Sequence, residues 1–183
     1  MSELGEIEAA IWRELVAAVD DRDHEWHTPV LASAAIGGEG EVSPDARTVV
    51  LRAADPQAQQ LIVYTDSRSP KVSQLQATPV ATLVFWSRRL SWQLRCQLHC
   101  DVAEEGLAVS SHWARIKLTR AAQDYLSPLP PGAPIGSAPP AAQNREHFAL
   151  LNGQVLAIDW LELAGDGHRR ARFADGMADW LQP

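Results

Sequence analysis

Apolar residues recur along this chain with two different periods, and the switches between them mark out the elements. Leu4, Ile7, Ile11 and Leu15 fall at helical spacing with Glu6, Arg13 and Glu14 between them. This predicts an amphipathic N-terminal helix within residues 1–22 that fades at "DDRD". The stretch "TPVLASAAI" predicts a strand that ends at the turn "GGEG". "ARTVVLRAA" predicts the next strand, stopped by Asp55-Pro56, and "QQLIVYT" its hairpin partner. Ser69 to Ala77 reads as a short helix, and "VATLVFW", apolar on both faces, as a central strand. In "LSWQLRCQLHCDV", Leu90, Trp92, Leu94, Cys96, Leu98, Cys100 and Val102 alternate with Ser91, Gln93, Arg95, Gln97, His99 and Asp101. Period two over that length means one buried face and one polar face. A helix is expected from about Leu107 to Leu126, followed by a Pro/Gly-rich connector over residues 127–143 that has no packing pattern and runs extended on the surface. "FALLNGQVLAIDWLEL" and "HRRARF" supply the last strands. Asn152-Gly153 signals either a hairpin turn or a bulge within a longer strand.

Strands that arrive in succession, without alternating helices, predict a mostly β fold: an antiparallel sheet closed into a β-barrel with flanking helices. The 183 residues fit a single domain, 1–183.

Charge and composition narrow the function. The formal net charge is −7, so the surface repels phosphate backbones and anionic lipid, which argues against nucleic-acid or membrane partners. No apolar run reaches the ~20 residues that span a bilayer, and "MSELGEIEAAIWREL" lacks a basic start with an apolar core, so a cytoplasmic protein is expected. Cys96 and Cys100 lie in one strand roughly 13 Å apart, too far for a disulfide, and read as reduced core thiols. The histidines are scattered, His24 and His27 being the only close pair, so no metal site is expected. Trp86, Trp92 and Trp160 are expected to pack the barrel or an interface.

In an acidic chain any bound anion needs a local positive cluster, and "YTDSRSPK" (64–71) is one. Ser69 is a good N-cap and Pro70 suits the first helical position. The free amides of that turn, with Lys71 beside them and Tyr64 and Thr65 at the strand end, form a small anion site. One strand earlier, "RTVVLR" places Arg47 and Arg52 on opposite faces if alternation is strict. They serve one ligand only if it lies along the strand or a bulge re-aims one of them.

"RTVVLR", "YTDSRSPK", Leu75, "TPVATLVFW" and "WQLR", in this order and at this spacing, resemble the pyridoxamine 5'-phosphate oxidase family. The sequence is most similar to the family's pyridoxamine-oxidase-like FMN-binding relatives, which the ending "DWLELAGDGHRRARF" also resembles. The resemblance covers roughly residues 28 to 175. It implies an FMN-binding split β-barrel acting as a homodimer, with flavin at the subunit interface, and an oxidoreductase with a small-molecule substrate. Residue by residue, it implies that Arg47, Thr48, Val49, Val50, Leu51 and Arg52 lie along the flavin, with Arg47 near its phosphate. Arg52 would sit near the reacting ring as the best catalytic candidate. Tyr64 and Thr65 would line the groove, Ser69 and Lys71 would grip the phosphate, and Gln93 would contact the ring. Arg170 and Arg172 would serve as interface or phosphate ligands, with His168 a weaker candidate. Pro70 stands where those oxidases carry an arginine, a loss that Arg68 would have to make good. In "SSHWARIKLTRAAQDYL" the family's substrate-phosphate clamp does not align; Trp113, Arg115, Lys117 and Arg120 there read as a solvated helix. The alternative is a protein that binds flavin or another cofactor without turnover.

Overall fold

The computed structural model describes residues 2–136, 145–165 and 167–183. Helix α1, Glu3–Asp20, starts at Ser2, whose hydroxyl accepts the Gly5 N–H at 3.2 Å and so satisfies one of the helix's orphan donors. Ile7, Ile11 and Leu15 are buried, as their spacing predicts, together with Trp12 and Ala18. The close histidine pair fastens the chain leaving this helix. His24 Nε2 lies 2.9 Å from Glu14, and His27 Nδ1 donates to the Ala18 carbonyl at 2.7 Å.

Among the described residues nine strands follow: β1 Val30–Ile36, β2 Val42–Thr48, β3 Leu51–Asp55, β4 Gln60–Asp66, β5 Val80–Ser87, β6 Trp92–Ala103, β7 Phe148–Glu162, β8 Arg169–Ala174 and β9 Met177–Leu181. Every pairing is antiparallel, in the order β2-β1-β5-β6-β7-β4-β3, with β8 added to β7 and β9 to β8. The fold is mostly β with flanking helices, as expected. The long strand β6 buries Leu94, Cys96, Leu98 and Cys100 and exposes Arg95, Gln97, His99 and Asp101. Both thiols are free, and burial pushes Cys96 up to about 12 and Cys100 to about 11. Trp26 and Trp160 sit fully inside the core; Trp92 packs edge-on against Trp160 at 5.4 Å. Trp86, by contrast, is 47% exposed on the outer face of β5.

Four expectations change. "ARTVVLRAA" is not one strand, because its halves have different partners: β2 pairs with β1, and β3 with β4. Val49 and Val50 carry the chain between the two ends of the sheet, and the Val49 and Leu51 N–H groups donate to the Pro29 and His27 carbonyls at 2.9 Å each. Pro44 lies within β2, where an edge position spares its missing donor. The expected 107–126 helix breaks into α3, Leu107–Ile116, and a 3₁₀ turn, Arg120–Tyr125. The break falls at Thr119, whose hydroxyl and N–H both donate to the Ile116 carbonyl at 2.8 Å. The connector is held as far as residue 129: Arg68 donates to the carbonyls of Ser127, Pro128 and Leu129. Backbone contacts of this kind leave no side-chain pattern, and residues 137–143 of the connector lie outside the described residues. Finally, Asn152-Gly153 is neither turn nor bulge, since β7 runs straight through it against β4. The bulge comes later, at Leu156, where Gln97 faces Ala157 and Leu98 faces Val155.

Strand β9 lies beyond "HRRARF", the last strand expected, and follows from the Asp175-Gly176 pair, a hairpin signal in the residues themselves. Asp175 and Gly176 both have positive φ, 54° and 71°, the signature of a tight two-residue hairpin.

Gly153 has a packing reason to be glycine. A Cβ there would stand 2.7 Å from Leu98 Cδ1 and 3.3 Å from the Leu61 carbonyl oxygen. Gly153→Ala is therefore expected to destabilise the fold by about 1–3 kcal/mol through overpacking. The urea midpoint measures this, and an unchanged midpoint would mean that Leu98 yields without strain.

Candidate functional site

The end of β4 and the start of helix α2, Pro70–Ala77, bring Thr65, Ser69 and Lys71 together. Lys71 Nζ donates to Ser69 Oγ at 3.1 Å and to Thr65 Oγ1 at 3.3 Å, and the two hydroxyls lie 3.1 Å apart. Thr65 and Ser69 are buried at 3% and 2% exposure. Ser69 occupies the N-cap position but caps nothing with its side chain; its hydroxyl turns to Lys71 instead. The backbone contributes less than the residue types suggest. Ser69 N–H donates to the Asp66 carbonyl, Val72 N–H to the Ser69 carbonyl, and Pro70 has no donor. The cradle is thus built from side chains.

Arg47, at the end of β2, closes one side of it. Its guanidinium donates to Ser33 Oγ at 2.6 Å and to Gln74 Oε1 at 3.0 Å, and it pairs with Asp45. Gln74 Nε2 donates to Asp45 at 2.8 Å, and this bond, with Arg47 beside it, holds Asp45 below the usual carboxylate range. Ser33, Asp45 and Gln74 were not singled out from sequence. Gln74 stands three residues after Lys71 and so shares a face of α2 with it, the one signal available. Burial, and then the like charge of Arg47, lowers the pKa of Lys71. Among the described residues Lys71 makes no ion pair with a carboxylate.

Arg68 does not replace the arginine missing at Pro70. Its guanidinium is taken up by Asp66, at 2.6 and 3.0 Å, and by the connector carbonyls. Arg52 also lies apart from Arg47. It is the extra residue of a bulge in β3 opposite Val63 and Ile62, which re-aims it over the Tyr64 ring, 5.2 Å from the centroid. Between the two arginines, the side chains of Val49 and Leu51 point into the core, Thr48 is exposed and Val50 half-buried.

Gln93, Arg170 and Arg172 form a second group. Gln93 pairs with Leu161 and Arg170 pairs with the same residue from the other side, while Arg95, Asp159 and Arg172 make the next row on the outer face. Asp159 accepts from Arg170 at 2.7 and 3.1 Å and from Arg95 at 2.5 Å. Those bonds outweigh the cost of its burial and hold it below its ordinary value. A cavity of about 180 Å³ opens here, lined by Thr82, Arg95, Gln97, Asp159 and Arg172. Thr65 pairs with Ala149, so the two groups stand about ten to twelve residues apart along β7, about 33–40 Å of strand path. One chain does not bring them into one pocket. His168 lies outside β8, exposed at the rim of a different depression beside Glu162 and Arg169.

Residues 9–104 match the family model for the pyridoxamine 5'-phosphate oxidase FMN-binding domain. The chain belongs to this family. FMN is the cofactor of its domain, and the cradle fits the phosphate end of that cofactor: two cations and two inward-turned hydroxyls, with Lys71 lacking a carboxylate. The fold is similar to a pyridoxamine 5'-phosphate oxidase-related, FMN-binding protein from Nostoc punctiforme PCC 73102 (24% identity, TM-score 0.72, 96% of each chain covered). It is similar too to PhzG from Burkholderia lata 383, solved with tetrahydrophenazine-1-carboxylic acid (20% identity, TM-score 0.72, 96% of this chain and 91% of that one). A heme binding protein from Mycobacterium smegmatis shares the fold at 16% identity (TM-score 0.56, 91% of this chain and 57% of that one). At these identities the likeness is one of fold. Among curated proteins no sequence matches the chain. No helix among the described residues is long and apolar enough to cross a membrane.

The buried cation has a pH signature. With the folded pKa of Lys71 lowered from 10.5, the unfolded chain binds more protons between the lowered value and 10.5. The Lys71 contribution to folding stability should therefore rise with pH across that window. The buried thiols, with raised pKa values, pull the other way at alkaline pH, so the lysine is read as a difference: the denaturant midpoint of the wild type relative to that of Lys71→Met should climb as pH approaches 10.5. An equal slope in the variant would place the titrating group elsewhere.

Proposed function

We propose that the protein is an FMN-dependent oxidoreductase that works as a homodimer on a small-molecule substrate, with each flavin at the interface between two copies of the chain. The observation that carries this reading is the cradle of Arg47, Thr65, Ser69 and Lys71, in which Lys71 donates to two hydroxyls and makes no ion pair with a carboxylate among the described residues. When bound, FMN supplies the acceptor for a hydride or for electrons. Lys71 and the Thr65 and Ser69 hydroxyls would bind its phosphate, and Arg47, oriented by Ser33 and Gln74, would add the second charge. Backbone at Thr48, Val49, Val50 and Leu51 would run beside it, and Tyr64 would line the groove. Arg52 would stand toward the reacting ring.

The strand distance supports the dimer. Gln93, Arg170 and Arg172 lie too far along β7 to reach a flavin in their own cradle, so in this reading they serve the partner's. Their outer face also carries apolar surface: Val30, Val80 and Trp86 are 39%, 42% and 47% exposed, as a sheet face that docks against a second copy would be. We place the protein in the cytoplasm, where its two unpaired thiols are at home.

A second reading, a protein that holds flavin or another cofactor without turnover, draws on the absent substrate-phosphate clamp in α3. Reducing the bound flavin and timing its reoxidation with candidate donors and acceptors separates the two.

Lys71→Ala should weaken FMN binding about 10–100-fold, the worth of one charge-assisted hydrogen-bond set, as read by titration of the visible flavin spectrum. Arg172→Ala should weaken it from the other side of the interface. Mixed dimers of the two variants should then recover one good site in two. Hybrids that recover none, or a protein that sediments as a monomer with FMN bound, would overturn the shared site.

A further inference from the structure

Two carboxylates act on Lys71 from a short distance, and only one of them is tied down. Burial and then Arg47 lower the Lys71 pKa, while Asp66 and Asp45 oppose them. Both oxygens of Asp66 are taken by Arg68: Oδ1 accepts from its backbone N–H at 2.8 Å and from Nε at 3.0 Å, and Oδ2 from Nη2 at 2.6 Å. Asp66 is also buried at 4% exposure, so leaving that clamp would strand a charge inside the protein. Asp45 is placed differently. It lies in β2, the outermost strand of the sheet order, and its side chain is 43% exposed, so water can take over its charge at little cost.

Strand alternation puts Asp45 and Arg47 on one face of β2, and the register sets Ser33 of β1 directly opposite Asp45. Helix α2 reaches this face through Gln74. The Gln74 amide has one orientation that satisfies its neighbours. Its Oε1 accepts from Ser33 Oγ at 2.7 Å and from Arg47 Nη2 at 3.0 Å, while its Nε2 donates to Asp45 at 2.8 Å. Arg47 is therefore held at both terminal nitrogens: Nη1 by the Ser33 hydroxyl and the Leu31 carbonyl, Nη2 by Gln74 and Asp45. Of these four partners only Asp45 carries a charge.

We propose that Asp45 is the resident counter-anion of the cradle: it pairs with Arg47 while the cradle is empty, gives way when a phosphate monoester enters, and so sets how readily FMN exchanges. The inference rests on the flavin reading above. Lys71 and Arg47 bring two positive charges, and Asp45 cancels one of them. A phosphate monoester brings about −1.5 to −2 at pH 7, so it outcompetes a single carboxylate for Arg47 yet meets that carboxylate as a like charge. Ser33, Gln74 and the Leu31 carbonyl keep the guanidinium in place during the exchange, since their bonds to it need no anion. Asp45 thus makes two neighbouring cations tolerable in the empty protein and weakens the hold on phosphate in the filled one.

The test uses Asp45→Asn, which keeps the size of the side chain and an oxygen to accept from Gln74 and Arg47 but removes the charge. Two quantities are measured: the FMN dissociation constant, by titration of the visible spectrum, and the urea midpoint of the FMN-free protein. FMN should bind the variant about 3–10-fold more tightly, as expected for removal of one partly screened like charge, while the FMN-free midpoint should hold or fall. Riboflavin, which lacks the phosphate, should bind both proteins alike, and Asp45→Glu should bind FMN as the wild type does. A purely structural Asp45 would instead lower midpoint and FMN affinity together. FMN affinity unchanged or weakened in Asp45→Asn, an equal gain for riboflavin, or a raised FMN-free midpoint would each overturn the counter-anion while leaving the flavin reading in place. A wild type that takes up no FMN would overturn that reading and the inference with it.

Discussion

Strand β7 has to serve three neighbours at once, and the rest of the molecule is arranged around that demand. Over its fifteen residues it pairs with β4 at its start, with β6 along most of its length and with β8 at its end. A strand shared in this way has both edges filled along most of its length, so most of its backbone groups are satisfied without a covering loop. The same demand imposes Gly153, where Leu98 and the Leu61 backbone come too close for a side chain. It also imposes the bulge at Leu156, which lets β6 stay in register on either side. The proposed cofactor ligands are distributed along this strand as well: the cradle gathers near its first residues and the Gln93–Arg170–Arg172 face near its last.

Charge pairing divides the arginines and lysines into two kinds. Several arginines serve structure: Arg68 clamps Asp66 and the connector, Arg169 spans Glu3 and Glu162, and Arg170 and Arg95 share Asp159. Lys71 is of the other kind: half-buried in the cradle, it makes no ion pair with a carboxylate among the described residues and donates to two hydroxyls instead. Arg47 belongs to both kinds, since Asp45 pairs with it while Ser33 and Gln74 orient it toward Lys71.

The hydroxyls and the helix start at the end of β4 divide their work in a way the bare residues do not announce. Ser69 has the residue type and position of an N-cap, yet its hydroxyl faces Lys71 and Thr65. The first-turn amides, expected to receive an anion, are largely absorbed by the turn itself. Local propensity places the helix, and the buried cation beside it then decides what the capping residue does.

Periodicity alone was enough for α1, the two-faced strand β6 and the antiparallel succession, because burial of one face leaves a direct imprint on residue order. The order and spacing of "RTVVLR" and "YTDSRSPK" likewise carried the family and its cofactor, since those short stretches hold their groups within a few residues of one another. What the sequence could not carry were contacts between distant elements. The division of "ARTVVLRAA" at Val49-Val50, the straight run through Asn152-Gly153, the capture of residues 127–129 by Arg68, and the meeting of Gln74 with Asp45 all depend on which partner stands opposite. The bulge that turns Arg52 away from Arg47 depends on it too. Residue order by itself determined which stretches bury a face and where positive groups cluster along the chain. Tertiary structure decided which of those groups meet, because pairing register and long-range packing, not local pattern, set the distance between side chains on different strands.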